Sequence, residues 1–237
     1  MDKRHDYKSI RNKLLGEEFS HDELRVLKGG FDLDIEDPLG RNILAAEIDS
    51  GIPDFWGASE DKDPSASRVG AGGRFDKGNF TFYRLQPMPF SMSLLWKNLA
   101  QYSNNNLAAS EQFQIGGALS VRGYPPAEHS GDSGIYSAWE LSLPIYPLSK
   151  TWLVPFTKEE RLYDDLRFVM FYDIALAHLN NPLIGEEDNE TLRGYGVGLR
   201  LNIKDYLTFR VEVGYPDGVT PSDRDHAHPW IEFTSRF

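Results

Sequence analysis

Apolar and polar residues alternate with a period of two along much of the chain. The clearest example is residues 195–203, where one face carries Tyr195, Val197, Leu199, Leu201 and Ile203. The other face of that stretch carries Gly196, Gly198, Arg200 and Asn202. After a short break, residues 207–215 repeat the pattern, with an apolar face of Leu207, Phe209, Val211, Val213 and Tyr215. Alternation of this kind predicts β-strands with one apolar face.

The same pattern recurs between turn-rich stretches and predicts nine strands. They lie at about residues 24–35, 42–52, 74–86, 91–103, 133–146, 166–179, 192–203, 206–215 and 228–237. No segment of useful length with helical periodicity competes with them. Residues 1–23 are polar and charged, and are predicted to form a loop or a short helix. The chain is therefore expected to be all-β, with a polar segment 1–23 followed by one sheet-forming domain, residues 24–237.

Strands with a period of two occur both in soluble sandwiches and in membrane barrels. Periodicity therefore does not say whether the apolar face contacts a second sheet or lipid. Two features favour the barrel. The polar faces carry many charged residues, as a water-filled lumen permits. Short links, such as 37–40 and 86–90, also alternate with long ones around 53–73, 104–132, 180–191 and 216–227. Outer-membrane barrels have short turns at one end of the barrel and long loops at the other. The link 147–165 is an exception, because it is long but falls at the end with the short turns.

Composition narrows the class further. The 237 residues include 13% aromatic residues, 21 Gly, 14 Pro and no Cys, and the mean hydropathy is −0.47. Aromatic residues suit strands, and the absence of cysteine excludes disulfides, thiolate catalysis and cysteine metal sites. The net charge of −11 argues against general nucleic-acid binding, which needs a basic face.

The N-terminal residues lack the apolar core of a signal peptide. No apolar run approaches the roughly 20 residues of a membrane-spanning helix. Taken alone, these features indicate a cytoplasmic protein. If the chain belongs to a barrel, they predict instead that the start of the protein is missing.

The segment Phe113–Tyr124 reads FQIGGALSVRGY. It resembles the loop motif of the two-partner secretion transporters, also called haemolysin secretion/activation proteins, whose superfamily includes the outer-membrane barrel-assembly insertase. The matching residues are Gly116, Gly117, Val121, Arg122, Gly123 and Tyr124. Downstream, Gly131–Gly134 (GDSG) with Trp139–Leu141 (WEL), and Phe171–Asp173 (FYD), resemble strand motifs of that family. The final Phe237 is similar to the C-terminal signal of outer-membrane barrels.

The resemblance implies an antiparallel transmembrane β-barrel of sixteen strands, with the motif loop between the eleventh and twelfth. This chain would hold about nine of them, the C-terminal portion. The earlier strands and the periplasmic polypeptide-transport-associated domains would be missing. The implied location is the outer membrane of a Gram-negative bacterium, with lipid around the barrel. The implied partner is a secreted haemolysin- or adhesin-like exoprotein, which the pore exports without a cofactor or an enzymatic step.

The chemistry of the motif follows from its residue types. Glycine lets a loop turn sharply and fold back into a barrel. Arg122 then lies in a confined interior, where an unpaired charge is costly, so it requires carboxylate partners. Glu140 and Asp173 are the predicted partners, because each lies on the polar face of its strand. We expect these contacts to lock the loop inside the barrel.

Other interpretations remain open. A relative of the barrel-assembly insertase would share the loop motif while acting on other barrels, and a truncated, non-functional structural barrel fragment is a different class. The stretch 225–228, DHAH, has ligand-like spacing, but no third ligand is evident and no metal site is predicted. There is no G-x-S-x-G motif and no convincing Ser/His/Asp order, so an enzyme is the least supported class.

Overall fold

The computed structural model describes residues 2–14, 17–146, 148, 151–153, 161–204 and 207–236. The regular secondary structure of the described part of the chain is almost entirely β-strand. Its strands are β1 (Asp2–Leu14), β2 (Glu17–Asp37), β3 (Gly40–Gly51), β4 (Phe75–Met88), β5 (Met92–Ser103), β6 (Phe113–Ile115), β7 (His129–Gly131), β8 (Ser133–Pro144), β9 (Leu166–His178), β10 (Asn189–Ile203), β11 (Leu207–Pro216) and β12 (His228–Ser235). The helical elements are a 3-10 turn, Ala109–Glu111, and one four-residue helix, α1 (Leu162–Asp165).

Ten of these strands form one antiparallel sheet in the order β1-β2-β3-β4-β5-β8-β9-β10-β11-β12. Each strand pairs with its neighbours in this order, while β6 and β7 pair only with each other, within the connection between β5 and β8. Among the described residues, β1 and β12 do not pair, so the sheet is open between them. An up-and-down arrangement of this kind is the wall of a partial β-barrel.

Eight of the nine predicted strands are confirmed to within three residues, and the other, 24–35, lies inside the longer β2, but the prediction for residues 1–23 is wrong. These residues form β1 and the start of β2, so the sheet has ten strands and not nine. Their polar composition is compatible with a strand because polar side chains of β1 contact polar side chains of β2. Lys28 of β2 lies 3.3 Å from Asp6 of β1, and Ser9 donates a hydrogen bond of 2.6 Å to Glu23.

The two faces of the sheet differ in the way that a lipid-exposed barrel requires. The outer face exposes large apolar side chains on most strands, including Leu27, Phe31, Leu33, Ile35, Ile48, Phe80, Ile135, Tyr195, Val197, Leu199, Phe209, Ile231 and Phe233. A soluble sandwich would bury this face against a second sheet. A continuous apolar outer surface is what lipid covers in a membrane barrel. Among the described residues, no helix has the length and apolar character needed to cross a membrane.

The inner face carries buried polar and charged groups together with chain from the long connections. The connections 52–74, 104–132, 179–188 and 217–227 leave one end of the sheet, while the turns 38–39 and 89–91 lie at the other end. Two buried apolar clusters lie on this inner face. One surrounds the predicted motif and the other lies where connections 52–74 and 104–132 meet β2.

Candidate functional site

The connection 104–132, here called the lumen segment, folds back along the inner face of the sheet. The β6–β7 pair brings its two halves together, and the motif turns at the tip. Gly116 and Gly117 have φ values of +98° and +93°, a backbone region that side chains rarely adopt. The amide of Gly117 donates to the carbonyl of Tyr124 at 3.0 Å, which closes the turn. The glycines are therefore required by the backbone path.

Arg122 lies at the centre of the site and is only 2% exposed. Its Nε and Nη2 donate to the two carboxylate oxygens of Asp173 at 2.8 and 2.7 Å, and its backbone amide donates to the same group at 3.1 Å. Its Nη1 lies 2.9 Å from a carboxylate oxygen of Glu140. The guanidinium also stacks on the ring of Phe171, 3.4 Å from the ring centroid. The structure thus places Arg122 between both carboxylates proposed from the sequence.

A third carboxylate, Glu212 of β11, was not proposed from the sequence. It accepts a hydrogen bond of 2.9 Å from Nη1 of Arg122. Glu212 shares the polar face of β11 with Arg210, so alternation places it inside the barrel. The pairing of β11 with β10 brings it opposite Gly198, where an added Cβ would lie 2.6 Å from the Glu212 side chain. That register, which sequence alone does not supply, decides that Glu212 reaches Arg122.

Further cations extend the site into an alternating network of charges. Arg200 bridges Glu140, at 2.7 Å, and Glu212, and Lys97 lies 2.8 Å from Glu140. Burial lowers the pKa of Arg122, but the hydrogen bonds and charge of Asp173 and the charge of Glu140 raise it above its ordinary value, so Arg122 stays charged. Opposite charges in contact offset the cost of taking each group out of water. If one member of the network were removed, its partner would be left as a buried and unpaired charge.

Glycines in the tip of the lumen segment and on β11 allow the two backbones to approach each other closely. An added Cβ on Gly123 would lie 2.4 Å from the carbonyl oxygen of Tyr215, and one on Gly214 would lie 2.2 Å from the carbonyl of Arg122. Trp230 of β12 donates from its indole nitrogen to that same carbonyl of Arg122 at 2.9 Å. The tip therefore contacts the strand backbone directly, which side chains would prevent.

Apolar packing completes the attachment of the tip. Val121 and Tyr124 are fully buried in one cluster with Ile115, Tyr136, Ala138, Ala175, Ala177 and Leu192. The hydroxyl of Tyr124 donates to the carbonyl of Val219 at 2.9 Å. All six motif residues thus contribute to the turn or to its attachment, together with Glu140 and Asp173. Phe237, the proposed terminal signal, lies outside the described residues.

The lumen segment has a second anchor on a different part of the sheet, formed by Glu111, which was not proposed as a site residue. Glu111 is 1% exposed and pairs with Lys77 of β4 at 2.8 Å and with Lys8 of β1. Its backbone carbonyl accepts from Gln101 at 2.9 Å. Burial raises the pKa of Glu111, but Lys77 and Lys8 outweigh burial and hold that pKa below its ordinary value. An anion holds the start of the segment to β1 and β4, and a cation holds its tip to β8, β9 and β11.

Open space remains beside the tip. A cavity of about 580 Å³ lies between the motif and the inner face of β3, β4 and β5. Ala118 and Leu119 line it from the lumen segment, and Leu119 is 86% exposed. The lumen segment therefore fills only part of the space along the inner face of the sheet.

Possible metal ligands occur near the start of β12. Ligand atoms of Asp223, Asp225 and His228 lie within 4.8 Å of one another, and His226 does not join them. His228 is hydrogen-bonded to Asp223 at 2.9 Å, and both carboxylates are exposed. The amide of Asp225 also donates to Asp223 at 3.0 Å, so hydrogen bonds among the three residues account for the arrangement, and we assign no metal to it.

A partial barrel with an apolar outer face and an arginine-anchored segment inside it has the architecture of an outer-membrane β-barrel. The model of the family "Haemolysin secretion/activation protein ShlB/FhaC/HecB" matches residues 1–201, and the chain belongs to this family. The family comprises the two-partner secretion transporters of the Gram-negative outer membrane, which confirms the class and location expected from the sequence.

Individual relatives agree with this assignment. The "Outer membrane transporter CdiB" of Dickeya dadantii (strain 3937) is 29% identical over 162 residues, which are 68% of this chain and 26% of that protein. The solved structure of CdiB from Escherichia coli has a TM-score of 0.71 at 21% identity, covering 97% of this chain and 40% of that one. CdiB from Acinetobacter baumannii has a TM-score of 0.60 at 17% identity, covering 91% and 34%. The chain thus spans about a quarter of the length of the curated relative.

Proposed function

We propose that this chain forms part of the wall of an outer-membrane pore that exports a large exoprotein of the haemolysin or adhesin type. The observation that carries the proposal is the buried network around Arg122, which holds the lumen segment across the interior of a lipid-facing sheet. A polypeptide that crosses this interior needs the space that the segment occupies. Membership of the two-partner secretion family supports export as the purpose of the pore.

In this proposal the Arg122 network acts as a reversible lock. Removing one partner from a buried ion pair is costly, because the other charge is left unpaired in a low-dielectric setting. The locked position is therefore a discrete state, and the segment leaves it as a unit. No covalent chemistry is involved, so the pore needs neither a cofactor nor a catalytic residue.

The proposed pore contains more than these residues. A sheet with unpaired edges is unfavourable in hydrocarbon, because each unsatisfied backbone group costs several kcal/mol there. Strands outside these residues would close the barrel, and lipid would cover the apolar outer face. Periplasmic transport-associated domains outside these residues would select the exoprotein.

The test uses Arg122→Ala in the protein that carries this chain, produced together with its exoprotein. Immunoblots of the culture medium report export, and heat-modifiable gel migration of the membrane fraction reports a closed barrel. We expect export to be lost while the gel shift persists. Arg193→Ala is the matched control, because Arg193 is exposed on the outer face of β10.

Export by Arg122→Ala at the level of the parent protein would overturn the proposed lock. Defective assembly of other outer-membrane barrels, with export intact, would instead favour a relative of the barrel-assembly insertase. A chain that never shows heat-modifiable migration would be a structural fragment without a pore.

A further inference from the structure

A second buried ionic centre lies at the long-loop end of the sheet, formed around Asp132. Asp132 belongs to the GDSG stretch between β7 and β8 and is 0% exposed. One of its carboxylate oxygens accepts from the amide of Leu107 at 2.8 Å and also pairs with Arg68. The other accepts from the amide of Asn180 at 2.7 Å. The three donors come from three different connections, 52–74, 104–132 and 179–188.

Arg68 and Asn180 also contact each other within this centre. Nη2 of Arg68 donates to the carbonyl of Asn180 at 2.5 Å, so this arginine connects the 52–74 connection to two others. The side-chain amide of Asn180 donates to the carbonyls of Ser103 and Asn105 at 3.0 and 2.9 Å. Together these contacts join all three connections to one another and to the end of β5.

Apolar packing beside this centre places the connections over the interior of the sheet. Leu107 and Ala108 from the lumen segment pack with Ala71 and Phe75, and with Leu24 and Val26 of β2. Leu24 and Val26 share the face of β2 that carries Lys28, which reaches Asp49 on the inner face. Ser67 joins the same region, because its hydroxyl accepts from the amide of Ala109 at 2.9 Å. The folded connections therefore cover the long-loop end of the interior.

We propose that Arg68 and Asp132 form a mouth latch, which keeps the long-loop end of the pore closed until a polypeptide passes. In outer-membrane barrels the long loops are extracellular, so the latch would close the exit. This inference rests on the proposed function in one respect only: it takes the interior of the barrel to be the path of the exported chain.

The chemistry of Asp132 makes the latch a two-state device. A buried carboxylate is stable only while its donors remain in place, and losing one leaves a charged acceptor poorly satisfied. Because its donors belong to three connections, movement of any one of them weakens the hold on the others. The latch is separate from the Arg122 lock, which shares none of these residues. The exit can thus open while the tip of the lumen segment stays attached.

The first test measures ion conductance of the purified protein that carries this chain, in planar lipid bilayers, for the parent and Arg68→Ala. We expect the ratio of open to closed time to rise at least about tenfold, which corresponds to about 1.4 kcal/mol lost from the closed state. Heat-modifiable migration should stay unchanged. Arg74→Ala is the control, because Arg74 is an exposed arginine of the same connection. Equal open times in the parent and Arg68→Ala would overturn the latch.

The second test fixes the latch with a disulfide, which the chain permits because it contains no cysteine. Ser67→Cys combined with Ala109→Cys joins two of the connections at a point of contact. We expect oxidation to abolish the open events and reduction to restore them. Undiminished opening of cross-linked protein, or failure of the two cysteines to react, would show that the connections do not meet as inferred. If both tests succeed but the parent exports no exoprotein, the proposed function fails while the latch stands.

Discussion

Arg122 and Asp173 meet through two parallel hydrogen bonds, 2.8 Å from Nε and 2.7 Å from Nη2. This bidentate geometry is specific to an arginine guanidinium and a carboxylate, and it makes the interaction both directional and strong. The lumen segment contains no other Lys or Arg, so trypsin cleavage after Arg122 reports whether the tip has left its site.

Asp173→Asn should release the tip of the lumen segment. The amide is similar in shape but carries no charge and turns a donor toward a donor, and removing one partner of a buried pair costs about 3–5 kcal/mol. We expect trypsin to cut after Arg122 much faster than in the parent, and export to fall. Asp76→Asn, at an exposed aspartate of β4 that accepts from Ser50, serves as the control. Parent-like cleavage in Asp173→Asn would mean that the fork does not hold the tip.

Glu212→Gln should weaken the lock less than Asp173→Asn does. Arg122 keeps its fork to Asp173, but a charged hydrogen bond worth about 1.5–3 kcal/mol is lost. We expect an intermediate rate of trypsin cleavage after Arg122. Glu232→Gln is the comparison, because its half-exposed carboxylate pairs with Arg210, and such pairs contribute about 1 kcal/mol or less. If the two variants behave alike, Glu212 is not part of the lock.

Acid should weaken the Glu111 anchor. The pKa of Glu111 in the folded protein lies below the ordinary value of 4.5, so its pairing with Lys77 and Lys8 is complete above that pH. The stabilisation is lost as pH falls through the lowered pKa. Fluorescence of a probe on the exposed Leu119→Cys should therefore change below about pH 4.5 in the parent background. With Glu111→Gln the change should already be present at neutral pH, and an identical pH profile in both would contradict the anchor.

Gly123→Ala should prevent the tip from docking on β11. The added Cβ would lie 2.4 Å from the carbonyl oxygen of Tyr215, a backbone atom that cannot move aside without disturbing the sheet. We expect export to be lost while the barrel still migrates as a closed species. Gly78→Ala is the control, because an added Cβ at that strand position meets nothing within 4 Å. Normal export by Gly123→Ala would show that this close approach is dispensable.

The strands were predictable because alternation acts locally and leaves a direct trace in the chain. The same parity argument placed Glu140 and Asp173 on inward faces. It could not separate them from other inward carboxylates such as Glu212, and it does not apply to Glu111, which lies in a 3-10 turn of the lumen segment. The misassignment of residues 1–23 has a related cause. A strand can form without an alternation of apolar residues when its polar side chains contact polar side chains of the neighbouring strand.

The sequence by itself determined the class of protein. The period-two pattern, the alternation of short and long links and the motif at 113–124 together specified an outer-membrane barrel of the two-partner secretion family, and singled out Arg122 as its central charge. Only the tertiary structure added Glu212 to the two predicted partners of Arg122 and brought three connections together around Asp132. Several of those contacts join residues far apart in the chain, such as Arg122 with Asp173, 51 positions away, and with Glu212, 90 positions away, and they depend on strand register. Register comes from the pairing of whole strands, so no local pattern in the chain specifies it.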